Sequence, residues 1–167
     1  MKLILFRHGL AMERDDSFAL KLDDSMRPLV EKGKDRTRKM AKALKPILGD
    51  VSVLATSPLL RAVQTSEILT GVMRFEQSFE VTELVPEAPP QAFARWLQTS
   101  VPRATSVVAV GHEPQLSVFA SWCLAGANES FIDLKKSGAI CLEVESFDSL
   151  APGLAELKWV LSPKVFG

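Results

Sequence analysis

The sequence is poor in the residues that bind metals or form disulfides. Of its 167 residues, two are cysteine and two are histidine. Cys123 and Cys141 form no C-x-x-C motif and leave no third thiol for a metal site, so we expect both to be buried as small hydrophobic residues. His8 and His112 are too few for a histidine-rich zinc or iron site, although two histidines could complete a mixed site with carboxylates.

Net charge and long apolar runs are also absent. Twenty Lys plus Arg residues balance twenty Asp plus Glu residues, which excludes a global basic field that would attract nucleic acid or an anionic membrane. The apolar stretch Met1–Phe6 is too short for a signal peptide or a transmembrane helix, so we expect a cytoplasmic protein. Any affinity for phosphate must therefore come from a local cluster of cations.

The motifs of several large enzyme classes are missing as well. The chain contains no G-x-S-x-G, no G-x-x-x-x-G-K-[ST], no G-x-G-x-x-G and no H-E-x-x-H. A serine-hydrolase elbow, a nucleotide-binding loop, a dinucleotide-binding turn and a zinc-protease helix are therefore disfavoured.

The composition, with 47% hydrophobic and 24% charged residues, predicts one compact domain over residues 1–167 with enough chain to bury a core. Short apolar runs predict buried strands at Leu3–Phe6, Val51–Ala55 and Ser106–Val110, and a further strand, the third in chain order, is predicted at Phe79–Leu84. Helical spacing predicts helices between them, ending near Gly49, Gly71 and Gly126, with a further short one around Phe93–Leu97.

Three local features refine this prediction. We expect Ser57 to cap the second of these helices and Pro58 to occupy its first position. The last helix, after Pro114, has apolar residues at a spacing that predicts one core face. The charged stretch Glu13–Asp24 lacks periodicity and is typical of a loop.

The end of the chain changes character. Polar and apolar residues alternate over 140–145 and 156–161, which predicts two antiparallel strands joined near Pro152-Gly153. Strands separated by helices and followed by such a pair predict an α/β fold. We expect a three-layer α/β/α sandwich whose sheet is mostly parallel, with antiparallel C-terminal strands.

The rarest side chains of the sequence follow the predicted parallel strands. Arg7 and His8 follow the first strand, Arg61 lies just after the second, Glu83 ends the third and His112 follows the fourth. Ligands of an open parallel sheet bind beyond the carboxyl ends of its strands. The sequence therefore predicts that these side chains share a functional site.

The residue types indicate phosphoryl chemistry. Guanidinium groups of Arg7 and Arg61 match phosphate oxygens, and Arg61 also lies in the first turn of a predicted helix, where free N–H groups attract anions. A neutral imidazole in such a pocket can attack phosphorus and carry the phosphoryl group covalently, and by residue type alone either His8 or His112 could do so. We expect the guanidinium charges to keep the nucleophile neutral near pH 7, and a cationic second histidine to stabilise the transferred group. The scheme needs no metal and no cofactor.

Three segments together resemble the histidine phosphatase superfamily, which is also called phosphoglycerate mutase-like. They are Arg7-His8-Gly9, Thr56–Thr65 with the sequence TSPLLRAVQT, and Gly111-His112-Glu113-Pro114. Asp24–Leu29, with the sequence DSMRPL, followed by Gly33, is similar to the small branch of SixA-type phosphohistidine phosphatases. The resemblance extends from Leu3 to Pro163.

The resemblance implies a phosphoglycerate mutase-like fold and a role for each matching residue. His8 would be the nucleophile, Arg7, Arg61 and His112 would bind the transferred phosphoryl group, and Arg27 would contribute to the same pocket. Val30 stands where relatives carry a Thr that could cap the next helix, so we expect that helix to begin differently. Glu83 matches the place of a proton-donating acid, with neighbours that fit only in part, and its alternative is an ordinary loop carboxylate.

Loop length bears on the substrate. Only Val85 to Pro90 separate Glu83 from the next helix, too few residues for the helical lid with which relatives enclose small phosphate esters. An uncovered pocket admits a phosphorylated side chain of another protein, and a phosphoramidate leaving group departs more easily than an alkoxide. We therefore expect a phosphohistidine phosphatase that acts on proteins, its partner being a phosphorylated protein such as a histidine-containing phosphotransfer domain.

Two alternatives are a metal-independent phosphomonoesterase for small esters and a non-catalytic phosphate-recognition module. We further expect a monomer that binds neither nucleic acid nor membrane. The basic run Lys32–Lys39 has helical spacing and is typical of a solvated helix face, with a partner surface as the alternative.

Overall fold

The computed structural model describes residues 1–167 and consists of five α-helices and one six-stranded sheet. The strands are β1 (Lys2–Arg7), β2 (Val51–Thr56), β3 (Phe75–Glu80), β4 (Ser106–Gly111), β5 (Ala139–Glu143) and β6 (Glu156–Leu161). The helices are α1 (Arg14–Ala19), α2 (Glu31–Leu48), α3 (Leu60–Thr70), α4 (Pro90–Ser100) and α5 (Gln115–Ala125). Short 3-10 turns cover Asp24–Met26, Thr82–Leu84 and Pro163–Phe166.

The sheet has the order β3-β2-β4-β1-β5-β6. The pairs β3–β2, β2–β4 and β4–β1 are parallel, whereas β5 is antiparallel to β1 and to β6. The predicted α/β class, with a mostly parallel sheet and antiparallel C-terminal strands, is therefore confirmed.

Helices cover both faces of the sheet. Ile4 and Phe6 of β1 belong to the core cluster that holds Met40 of α2, together with buried residues of α3. Leu3 and Leu5 belong to the opposite cluster, with buried residues of α4 and α5. Successive residues of β1 thus enter different layers, which is why this strand is a continuous apolar run and does not alternate with polar residues.

The predicted third strand is wrong at both ends, because β3 covers Phe75–Glu80 and not Phe79–Leu84. β3 is an edge strand that pairs only with β2, and most of its residues are exposed. It therefore lacks the apolar run that marks a buried strand. The buried residues Val81 and Leu84 lie beyond the strand, next to or within a 3-10 turn.

Other local predictions also need correction. The stretch Glu13–Asp24 contains α1 and the start of a 3-10 turn, so it is not a plain loop. α5 is buried on nearly all sides and has no single core face. Backbone N–H groups of Gly153 and Ala155 donate to carbonyls in its last turn, at Trp122 and Cys123, so the segment before β6 covers the C-terminal end of α5.

None of the helices combines the length and the apolar composition that a membrane span requires.

A close helix-to-loop contact positions the segment that follows β1. As expected, α2 begins without a side-chain cap, since Val30 precedes its first residue. Gly33 in its first turn lies against the backbone of Leu10, and a Cβ at Gly33 would clash with the Leu10 carbonyl oxygen. A Cβ at Gly9 would likewise lie 2.6 Å from Thr37 Oγ1. The loop that carries His8 is therefore packed directly on α2.

Replacing Gly33 by alanine is expected to destabilise the protein, although the same change in a free helix would stabilise it by about 1 kcal/mol. The clash with backbone cannot be relieved by a side-chain rotation, so we expect the free energy of unfolding to fall by about 1–3 kcal/mol. Chemical denaturation measures this change. Gly71→Ala is the matched control, since its Cβ would have its nearest neighbour at 3.4 Å. Equal stability of the two variants would contradict the packing described.

Candidate active site

The sheet order brings three separate chain segments to one edge. β4 lies between β1 and β2, so the residues that follow these strands are neighbours. The N–H of His8 donates to Gly111 O at 3.0 Å, and the N–H of Ser57 donates to Val110 O at 3.0 Å. The imidazole rings of His8 and His112 have centroids 5.0 Å apart. Residues far apart in the sequence thus form one site at the carboxyl ends of the strands.

These side chains line an open cavity of about 390 Å³, in which one of the twelve lining residues is hydrophobic. Five of the six residues that the sequence predicts for the site are among its lining residues: Arg7, His8, Arg27, Arg61 and His112. The remaining lining residues are Ala11, Glu13, Arg14, Asp15, Pro86, Glu113 and Lys136. Glu83, the sixth predicted residue, is not part of the wall.

His8 is held in one tautomer by the backbone. Its Nδ1 lies 2.7 Å from the carbonyl oxygen of Gly9, and because a carbonyl can only accept, Nδ1 carries the proton. The lone pair of the neutral ring is therefore on Nε2. Thr65 fixes the same loop, since its Oγ1 accepts from the N–H of Gly9 at 3.0 Å.

Burial keeps His8 neutral. The side chain is almost fully buried, and this loss of water lowers the pKa of His8 to about 3, with smaller contributions from the charges of Arg61 and Arg7. The sequence predicts a neutral ring but attributes it to the guanidinium groups alone. Desolvation is the larger cause.

Ser57 forms a hydrogen bond with His112 and does not have the capping role that the sequence predicts. Ser57 does not cap α3, which begins at Leu60 without a side-chain cap. Its Oγ instead accepts from the N–H of Leu59 at 3.3 Å and lies 2.7 Å from Nε2 of His112. The direction of this bond depends on the tautomer: when the hydroxyl donates to Nε2, the ring proton is on Nδ1, and when Nε2 donates, the lone pair is on Nδ1. Burial, followed by the proximity of His8 and Arg61, lowers the pKa of His112 to about 2, so the ring is neutral. The predicted cationic second histidine is therefore wrong, because desolvation disfavours the charged ring.

Asp24 orients two of the arginines. Its Oδ2 accepts from Arg61 at 3.2 Å, its backbone oxygen accepts from Arg61 at 2.8 Å, and its Oδ1 accepts from Nε of Arg27 at 2.9 Å. Arg27 also donates to Met12 O at 2.7 Å. Partial burial opposes the charge on Asp24, but the bonds to both guanidinium groups outweigh it and hold the pKa of this carboxyl below its usual value.

Three buried nitrogens in this wall have no hydrogen-bond partner within the protein. They are Nε of Arg7, Nε of Arg61 and Nδ1 of His112. Arg7 is anchored separately, because its Nη1 donates to Leu134 O at 2.8 Å. Unpaired buried donors are costly unless a ligand satisfies them. A group with several acceptor oxygens is the ligand that fits.

The carboxylates at the cavity differ from the predicted one. Glu83 lies in the 3-10 turn after β3, and its carboxylate accepts from the hydroxyl of Thr82 at 3.1 Å. Its role as proton donor stays a prediction. The wall instead contains Glu13, Asp15 and Glu113. Burial raises the pKa of Glu113, although hydrogen bonds from Ser117 oppose this shift.

Sequence reasoning missed the functional contacts of Asp24 and Ser57. Both residues stand inside the segments on which the family resemblance rests, but no role was assigned to Asp24 and a capping role was assigned to Ser57. Their bonds join parts of the chain that are 37 and 55 residues apart. The only sequence sign was a carboxylate three residues before Arg27, a spacing that permits an ion pair.

The fold and the histidine-bearing cationic cavity together define a phosphatase, a hydrolase of phosphate compounds. The family model of the histidine phosphatase superfamily (branch 1) matches residues 3–88. The chain belongs to this superfamily. An uncharacterised protein of Picosynechococcus sp. (strain PCC 7002) is 36% identical over 98% of both chains. Phosphohistidine phosphatase SixA of Escherichia coli (strain K12) is 27% identical over 98% of this chain and 94% of its own.

The comparison with solved structures agrees with this family assignment. The protein histidine phosphatase SixA complexed with tungstate superimposes with a TM-score of 0.85 at 25% identity, covering 100% of both chains. The alpha-ribazole phosphatase of Shigella flexneri shares the fold, with a TM-score of 0.66 at 15% identity over 98% of this chain and 97% of its own. The phosphoglycerate mutase-like fold is therefore confirmed, and a phosphatase named for a small molecule shares this fold.

Removing the charge of Asp24 is expected to slow the reaction more than it weakens binding. In Asp24→Asn the two guanidinium groups lose their ionic partner, so we expect kcat for an aryl phosphate to fall about tenfold. The inhibition constant of inorganic phosphate is expected to stay within about threefold, because the lost negative charge favours anions and offsets the looser geometry. Steady-state kinetics with phosphate as inhibitor measure both values.

Asp35→Asn is the control for this experiment. Asp35 also forms an ion pair with an arginine, Arg38 at 3.0 Å, but on the exposed face of α2 and outside the cavity. We expect its kinetics to match those of the unmodified protein. Equal losses of kcat in the two variants would show that Asp24 does not orient the arginines.

Proposed function

We propose that this phosphatase hydrolyses phosphohistidine on proteins through a covalent intermediate on His8. One observation carries the proposal: Arg7, Arg61 and His112, each with a buried nitrogen that lacks a protein partner, line the same cavity as His8, whose Nε2 carries the lone pair of the neutral ring. A phosphoryl group supplies oxygens for all three donors. The phosphorus would then lie within reach of a neutral nucleophile.

The proposed reaction has two displacements at phosphorus. His8 Nε2 forms a bond to phosphorus while the bond from phosphorus to the substrate imidazole breaks, and the departing imidazole nitrogen takes a proton from solvent. Arg7, Arg61 and Nδ1–H of His112 bind the equatorial oxygens as charge redistributes. Water then attacks the phosphorus on His8 while the bond from phosphorus to Nε2 breaks. Inorganic phosphate leaves, and Nε2 recovers its lone pair.

Three features favour a protein substrate. Only residues 85–89 connect the turn holding Glu83 to α4, and Pro86 is the sole cavity residue from that connection. The pocket therefore stays open to a side chain presented by another protein. Glu83 lies outside the cavity wall, and a phosphoramidate depends less on acid assistance than an ester does. The similarity to the phosphohistidine phosphatase of Escherichia coli, at 27% identity, agrees with this choice.

Hydrolysis of small phosphate esters is the second candidate. The cavity wall carries three carboxyl groups, those of Glu13, Asp15 and Glu113. Glu113 has a pKa raised by burial, which is the direction a proton donor to an alkoxide needs. A kcat/KM that is higher for a sugar or nucleotide phosphate than for a phosphohistidine protein would favour this function.

Rapid quench with a phosphohistidine protein labelled in the phosphoryl group tests the proposal directly. We expect label to appear on the enzyme within a single turnover, to survive base and to be released by acid, as expected of a phosphoramidate. His8→Ala is expected to form no adduct and to lose hydrolysis. Arg61→Ala is expected to keep the adduct site but react at least about a hundredfold more slowly. An acid-stable adduct, or full activity of His8→Ala, would refute the nucleophile.

The role of Glu83 is tested by the substrate dependence of one variant. If Glu83 donates a proton to a poor leaving group, Glu83→Gln lowers kcat for an alkyl phosphate about a hundredfold and for phosphohistidine only slightly. Glu113→Gln is the comparison, since Glu113 lies in the cavity wall. Equal effects of Glu83→Gln on both substrates would remove Glu83 from the chemistry.

A further inference from the structure

A second polar cavity, of about 340 Å³, lies beside the active site. Five of its eight lining residues are cationic, and none is hydrophobic: Arg36, Lys39, Lys135, Lys136 and Lys164 are the cations. No acidic side chain lines it. We call it the basic cavity. In a chain with zero formal net charge, such a concentration of one sign is a local feature and not an average property.

Most of these cations have no ionic partner within the protein. Lys135 is paired with Asp133 at 2.6 Å, and Lys39 donates to Gly167 O at 3.4 Å. Arg36, Lys136 and Lys164 form no ion pair. The acidic residues nearest in sequence to Arg36 are already paired with other bases of the same helix. The charge of the basic cavity is therefore available to an outside anion.

The basic cavity and the active site share one residue, Lys136, which lines both. Its segment is held firmly: the N–H of Ser137 donates to the carbonyls of Arg7 and His8 at 3.2 Å, and Ser137 Oγ bonds Thr37 Oγ1 of α2 at 2.9 Å. The wall between the two cavities is thus anchored to the end of β1 and to α2. Lys136 also contributes to the lowered pKa of His8, which reflects its closeness to that ring.

We propose that the basic cavity binds an acidic segment of the phosphoprotein whose phosphohistidine enters the active site. This inference rests on the proposed function, because it takes the substrate to be a protein. A chain that places its phosphoryl group against Arg7 and Arg61 continues past Lys136, where carboxylates would meet unpaired cations. The basic run that includes Arg36 and Lys39 then has a role as a partner surface and is not only a solvated helix face.

The lining favours an acidic peptide over single-stranded nucleic acid. Proteins that bind single strands place aromatic side chains under the bases, and the basic cavity contains no aromatic residue. Carboxylates need only charge and hydrogen-bond donors, which lysine and arginine supply. Charge pairs of this exposed kind raise association rates and select partners more than they add affinity.

Two phosphohistidine peptides test the proposal. They are identical except that four glutamates beside the phosphohistidine of one are glutamines in the other. We expect kcat/KM of the unmodified enzyme to be about tenfold higher for the acidic peptide at low salt, and the preference to fade at high salt. Equal kcat/KM for the two peptides would overturn the proposal.

Charge-reversal variants test whether the preference for the acidic peptide arises at the basic cavity. The variant Arg36→Glu/Lys39→Glu is expected to lose the preference for the acidic peptide. Lys32→Glu/Lys42→Glu changes the net charge equally on exposed positions of α2 outside the basic cavity, and we expect it to keep most of the preference. Turnover of an aryl phosphate, which has no acidic segment, is expected to be the same in all three proteins. Equal losses in both variants would mean that only net charge matters and would overturn the proposal.

A binding measurement separates this inference from the proposed function. If the unmodified enzyme hydrolyses neither peptide, the proposed substrate class fails. Fluorescence anisotropy with a labelled, phosphate-free acidic peptide then tests the basic cavity alone. Binding that is weakened by Arg36→Glu/Lys39→Glu and kept by Lys32→Glu/Lys42→Glu supports the docking site. Absence of that difference, or stronger binding of an RNA oligomer of equal charge, overturns it.

Discussion

The active site is organised by the need of each buried polar atom for a partner. The carbonyl of Gly9 accepts a hydrogen bond from Nδ1 of His8, and Ser57 forms one with Nε2 of His112. Asp24 accepts from one side of the guanidinium of Arg61. Each bond satisfies one side of a ring or fork and fixes its orientation. Nε of Arg7, Nε of Arg61 and Nδ1 of His112 stay without protein partners, while Nε2 of His8 keeps the lone pair that can attack phosphorus. Internal hydrogen bonds thus fix the orientation of these side chains, and the remaining donors are available to the ligand.

The sheet order makes this arrangement possible. Because β4 lies between β1 and β2, the segments after these strands are adjacent although they are distant in sequence. The rule that ligands bind at the carboxyl ends of parallel strands was sufficient to place Arg7, His8, Arg61 and His112 together from the sequence alone. It needed only the strand ends, and those of β1, β2 and β4 are marked by apolar runs because these strands are buried on both faces.

What the sequence could not supply depends on contacts that apolar patterns do not record. β3 lies at the sheet edge and has little apolar character, so its end was misplaced and Glu83 was assigned to a strand end where none exists. Ser57 before Pro58 fits a helix cap as well as it fits a histidine partner, and only the three-dimensional position of His112 decides between them. Asp24 holds two arginines through bonds whose geometry depends on where α3 lies relative to the 3-10 turn.

The charge balance of the cavity explains why its histidines must be neutral. Its lining residues include five cations and three carboxylates, a formal charge of +2, and a phosphoryl group carries close to two negative charges near pH 7. Two protonated imidazoles would double the positive charge in a wall where arginines already approach each other, and would remove the lone pair that attacks phosphorus. Burial prevents this, since it lowers the pKa of His8 to about 3. The same desolvation that leaves the nucleophile uncharged also strengthens the attraction between the arginines and the incoming phosphoryl group.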